Sequence, residues 1–245
     1  MKKSIMLAAL AFALLPFASA HADDYLKIRH ITEPSTVMGE AQPGDEQVVE
    51  VWLGADRARM DTGTASTVIV SEPDQLLYVL DHKEKTYSEV PMDLTKAVSQ
   101  MAGSDETAQM VAGLMGTMLQ VDAEVVDTGE ERTVGRWKCR VYRMSLAMAM
   151  GRTDSEICAN PDIEVPRDLY YRLGNVMLAG QQGYQDAMRE MEKIKGLPVH
   201  TVSTVTAMDS TVRTVDELLD HQKGAAPAGT FDLPQGYTKK PFAGL

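Results

Sequence analysis

Sulfur and imidazole are the most chemically versatile groups in this 245-residue chain, and their spacing limits what they can do. The cysteines are Cys139 and Cys158 and no others. A redox-active pair calls for a Cys-x-x-Cys spacing or a helix N-terminus to lower a thiol pKa, and the sequence offers neither. In an oxidising compartment an even pair reads instead as a structural disulfide. Trp137 to Arg143 and Thr153 to Ala159 both have strand character and are joined through residues 144–152. Pairing them antiparallel with Cys139 opposite Cys158 sets Arg143 opposite Asp154, a favourable charge pair. The same register sets Val141 opposite Glu156, which is less favourable.

The histidines, His21, His30, His82, His200 and His221, are scattered, and none has another within four residues. There is no Gly-x-Ser-x-Gly elbow, His-Glu-x-x-His, phosphate loop or dinucleotide fingerprint. Asp122 and Glu124 share a strand face, the usual pattern of a solvated surface. Methionine is abundant, 16 residues of 245. Met148-x-Met150, Met115-x-x-Met118 and Met188-x-x-Met191 match thioether spacings that copper(I) accepts. Most of these methionines lie on apolar helical stripes, where they fill irregular gaps, and no histidine or cysteine cluster reinforces them. The expectation is therefore no enzyme, no metal and no cofactor. The same flexible side chains also suit a surface that accepts greasy ligands of variable shape.

The elements that would position these residues begin after residue 20. Lys2 and Lys3, the apolar run Ile5 to Phe17, and Ala18-Ser19-Ala20 form a tripartite secretory signal, too short for a normal membrane span. Cleavage is expected at residues 20–22, with delivery to the periplasm. Residues 21–245 are then expected to form a single domain with helical segments near 91–120 and 166–195. Apolar residues are 44% of the chain, enough for a sizeable core, and the net charge is −11. Losing Lys2 and Lys3 makes it two units more negative. Such a charge argues against nucleic acid or anionic membrane as a partner and for a soluble monomer.

The N-terminal half reads as a strand meander. Asp24–Thr32 leads, and a turn-rich stretch, Glu33–Asp45, follows. In Glu46–Leu53, Val49, Val51 and Leu53 share one face. Arg57–Asp61 alternates, with Ala58 and Met60 inward. Ser66–Ser71, Gln75–Asp81 and Lys85–Val90 complete the series. After Pro91 the period becomes helical, with Val111, Leu114, Met115 and Met118 on one stripe and Gly113 and Gly116 weakening it. Strands return at Val121–Asp127 and in the cysteine hairpin. Arg167–Lys195 reads as a third helical region ended by Gly196. Val199–Met208 and Thr211–Leu219 form a hairpin, although Asp216–Leu219 has some helical character.

The segment VWLGADRARMDTGTASTVIVSEPDQLLYVLDHKEKTYSEVPMDL resembles the opening strands of a periplasmic domain-of-unknown-function family, through Gly54, Arg59, Asp61, Leu80 and Tyr87. VGRWKCRVYRMSL resembles its central strand through Gly135, Cys139 and Tyr142. FDLPQGYTKKPF resembles its closing signature through Leu233, Pro234, Gly236 and Tyr237. That family is similar to the lipoprotein carriers (LolA/LolB-like). The resemblance implies an α+β fold, a strongly curved antiparallel sheet or half-open β-barrel covered by helices. The carriers hold acyl chains in that concavity. The expected function is a non-enzymatic exported binding module for a hydrophobic or lipid-like ligand. Its site would include Val49, Val51 and Met60 from the sheet and Val111, Leu114, Met115 and Met118 from a helix. The alternative is a structural or protein-interaction component of the cell envelope, with an envelope protein as partner.

Overall fold

A computed structural model describes residues 22–37, 39–92, 121–148, 151–174, 183–207 and 210–241. In the first half the strands follow the alternation of the sequence: β1 (Asp23–Thr32), β4 (Asp45–Leu53), β5 (Arg57–Thr62), β6 (Ser66–Ser71), β7 (Leu76–Asp81) and β8 (Thr86–Pro91). Short strands β2 (Ser35–Val37) and β3 (Glu40–Gln42) occupy the turn-rich stretch. The second half holds β9 (Val121–Val134), β10 (Trp137–Met148), β11 (Gly151–Asn160), β12 (Leu197–Ala207), β13 (Ser210–Gly224) and β14 (Thr238–Lys239). Helices α1 (Arg167–Gly174) and α2 (Tyr184–Met191) lie between β11 and β12.

All the strands join one sheet, whose main path runs β14-β8-β7-β6-β5-β4-β1-β13-β12-β11-β10-β9. Pairing is antiparallel except at β14, which runs parallel to β8. The path has two free ends, so the sheet is open.

The expected α+β fold with a helix-covered barrel is therefore corrected. Among the described residues the chain is mostly strand, in one large mixed sheet, with two helices of eight residues each. The expectation took apolar periodicity as the mark of a strand. However, after a bulge at 128–130, β9 runs on through the charged, exposed stretch Glu131–Thr133 paired with β10, and β13 continues as strand through Asp216–Leu219. There the backbone is held by ladders to neighbouring strands, so burial of side chains is not required. The helical region predicted over Arg167–Lys195 contributes only α1 and α2 to the described chain. Gly196 does not end α2, which stops at Met191. It turns the chain into β12 at φ +83°, where a Cβ would lie 1.8 Å from the Asn160 carbonyl oxygen. The signal segment and the stripe carrying Val111, Leu114, Met115 and Met118 lie outside the described residues.

The sheet curls. One cavity is lined from β5 through β4, β1, β13, β12 and β11 to β10. Those seven neighbouring strands would span about 29 Å if flat. All seven nonetheless face one cavity of about 430 Å³. The start of β10 shows the same curvature. Trp137 Nε1 donates to the Leu218 carbonyl at 2.9 Å, and Arg136 pairs with Asp220 at 2.7 Å, although two strands separate β10 from β13 in the sheet. Helix α1 packs inside the curve against β5 and β6, with Leu169 and Leu173 buried. Helix α2 packs on β9, where Glu190 accepts a hydrogen bond from the Val125 N–H at 2.9 Å.

Cys139 and Cys158 form the disulfide, with Cα atoms 5.2 Å apart. The register differs from the one the sequence suggested. Val141, not Cys139, lies opposite Cys158, and Arg143 lies opposite Glu156. The two registers differ by two residues, a shift that leaves every side chain on its own face. The observed one replaces the unfavourable Val141–Glu156 pairing and makes the disulfide diagonal.

Candidate ligand-binding site

The inner face of the sheet is graded along its strands. At the floor, Leu26 on β1 lies opposite Val51 on β4, which lies opposite Met60 on β5. Leu26 and Val51 are 0% and 2% exposed. Two residues further along, Ile28, Val49 and Leu218 continue the apolar face. Two residues further again the row becomes polar. Gln47 lies opposite His30, His30 opposite Asp216, and Asp216 opposite Thr201, across four adjacent strands. Period-two alternation gives each strand this progression. From Leu26 to His30 it covers about 13 Å.

A β-bulge sets the polar row. Lys27 pairs with Asp220, but Ile28 pairs with Leu218, so Leu219 has no partner on β1 and is 39% exposed. The extra residue shifts the register by one. It brings Asp216 opposite His30 and turns Leu218 inward.

The inner-face residues, Leu26 apart, line a cavity of about 430 Å³ that α1 faces through Tyr170, Tyr171 and Leu173. The volume falls within the roughly 300–1,000 Å³ of small-molecule sites, and the walls are mainly apolar as in such sites. Burial pushes the Tyr171 hydroxyl up to about 12 and raises Tyr170 as well. Both phenols are therefore neutral at physiological pH. At the polar end, His30 Nδ1 lies 2.7 Å from Asp216 Oδ1. That hydrogen bond raises the imidazole pKa against an opposing effect of burial. Their side chains are 27% and 40% exposed, so the pair sits at the mouth.

Val49, Val51 and Met60, picked out in the sequence, stand together on this wall. Ile28, His30, Asp216 and Leu218 escaped sequence reasoning. The alternation Leu26, Ile28, His30 was a signal, but only the bulged register joins it to β13. Among the described residues the helix at the cavity is α1, supported by Met191 and Ile194; the stripe at Val111–Met118 lies outside them.

A second cleft, of about 800 Å³, runs beside the β9–β10 hairpin and is strongly charged. Its two arginines have acidic partners: Arg140 meets Asp127 at 2.7 Å, and Arg132 meets Glu156 at 2.6 Å. Arg140 holds the Asp127 carboxyl below the usual carboxylate range. Of the thioether pairs, Met188 packs with Val121 and Leu146, while Met191 lines the apolar cavity.

The described histidines stay apart. His221 bonds Asp24 at 2.7 Å. His82 belongs to a chain of polar groups on the outer face. There Arg59 makes a two-pronged pair with Asp61, and Thr67 donates to Asp61. His82 Nε2 lies 2.7 Å from the Thr67 hydroxyl, and its Nδ1 lies 2.6 Å from the Tyr237 hydroxyl. Because Thr67 spends its one proton on the carboxylate, it accepts from His82 Nε2–H, and the Tyr237 hydroxyl closes the chain at Nδ1. Arg59 also donates to the Thr230 carbonyl at 3.0 Å. This chain of groups has Thr67, 0% exposed, at its buried centre. It fastens the C-terminal tail, bringing β14 onto β8.

The molecule is thus a mainly-β protein with an open, curled sheet around an apolar cavity. It belongs to the family described as Domain of unknown function (DUF4412), which matches residues 35–237. No curated protein matches the chain. Among solved structures, PNGF-II aligns with a TM-score of 0.39 at 12% identity, over 88% of this chain and 32% of that one. The chain therefore spans about a third of PNGF-II. A domain from Vibrio parahaemolyticus ascribed to outer membrane lipoprotein sorting aligns with a TM-score of 0.35 at 6% identity, over 86% of this chain and 89% of that one. Both scores fall below 0.5, and neither assigns a shared fold.

Proposed function

We propose that this protein is an exported, non-enzymatic binding module for a hydrophobic, lipid-like ligand, acting in the periplasm. The observation that carries the reading is the apolar cavity on the inner face, floored by Val51 and Met60 and opening past Ile28 and Val49. Burying ligand methylenes there contributes up to about 0.8 kcal/mol each. Losses of translational and conformational freedom offset several kcal/mol, so weak micromolar affinity is expected. The signal-like N-terminus and the disulfide support an oxidising compartment outside the cytoplasm.

Titration with an environment-sensitive apolar fluorophore tests the reading. Saturable binding to the native protein is expected, with loss in Val49→Trp, whose indole would fill the cavity. Unchanged binding in a folded Val49→Trp protein, or no saturable binding in the native one, would exclude the cavity as the site.

A further inference from the structure

The polar row at the cavity mouth selects a head group. Gln47, His30, Asp216 and Thr201 lie on four adjacent strands at one level, directly above the apolar wall. A chain lying along Ile28 and Val49 would bring its polar end to this row. The row contains one carboxylate, on Asp216, and Asp45 at the start of β4 adds negative potential at His30. The one imidazole is already engaged by Asp216. Among the described lining residues there is no lysine or arginine. An anionic head placed here would face a carboxylate in a partly desolvated mouth with no dedicated cation, an unfavourable arrangement. A hydroxyl or amide head would find acceptors in Asp216 and Gln47 and a further partner in Thr201.

Taking the cavity as the ligand site, we propose that its ligand is a single-chain amphiphile whose head has no negative charge and donates hydrogen bonds to the Gln47–His30–Asp216–Thr201 row. The volume of about 430 Å³, near the small end of ligand sites, supports one chain over the two of a membrane phospholipid. Glu217, the next carboxylate on β13, is engaged by Arg29 and points to the other face, so it takes no part.

Displacement of a bound apolar fluorophore by 1-monolauroylglycerol and by laurate, both below micelle formation at about pH 8, tests this. The glyceride should bind at least roughly tenfold more tightly, the scale of a hydrogen bond to a charged group. Asp216→Asn should narrow the difference by strengthening laurate, and Glu217→Gln should leave it unchanged. Gln47→Leu, which changes no charge, should weaken the glyceride while the fluorophore still binds. Equal or tighter binding of laurate, or a difference insensitive to Asp216→Asn, would overturn the head-group inference alone. Failure of the fluorophore itself to bind would overturn the cavity reading and this inference with it.

Discussion

His30 is the residue on which the chemistry of the mouth turns. Its bond to Asp216 stabilises the protonated ring, so the folded-state pKa lies above the unfolded one. A raised histidine pKa contributes stability that is fully present below the unfolded value, about 6.5, and is lost as pH rises through the folded value. Replacing His30 with Gln should therefore lower the Tm most at about pH 6, with a difference from native protein that shrinks toward alkaline pH. Thermal melts across that range check the sign, and a difference that grew with pH would contradict it. Nothing in the sequence near His30 marks this role, because its partner lies 186 residues away and meets it only through the bulge. Val49, Val51 and Met60 were legible because their shared face follows from strand alternation alone, although only Val51 is fully buried. Arg59, Asp61 and Tyr237 drew notice as parts of a resemblance, and the structure gives them one shared physical task, fastening the tail through Thr67 and His82.

At the scale of elements, the strands of the first half were legible because turns punctuate them and one face is apolar. The charged half of β9 was not, since ladder pairing leaves no period in the sequence when both faces are wet. The hairpin register was beyond reach for a related reason: a two-residue slip preserves both faces, so only the pairing of Val141 with Cys158 distinguishes it. The disulfide closes a separation of 19 residues, between the inner strands of the β10–β11 pair. Its removal in a Cys139→Ala/Cys158→Ala double variant should cost about 3 kcal/mol, as expected for a loop of that size. Urea unfolding measures the loss. A change well under 1 kcal/mol would show that the hairpin is already held by its ladder and by Ile157 and Tyr142 packing.

At the scale of the whole molecule, a single open sheet creates the site by curling. Strand order and inter-strand spacing make the cavity, and the short helix α1 closes part of one side without covering the sheet. The sequence could not convey this shape, since curvature depends on which distant strands become neighbours and on bulges such as the one at Leu219. The central claim is that the concavity holds a greasy single-chain ligand. Native mass spectrometry of the protein released gently from periplasm tests it most directly. The account predicts an adduct with the mass of one single-chain lipid, absent from the Val49→Trp variant. A spectrum of bare polypeptide in both, from protein that also takes up no apolar fluorophore, would contradict it.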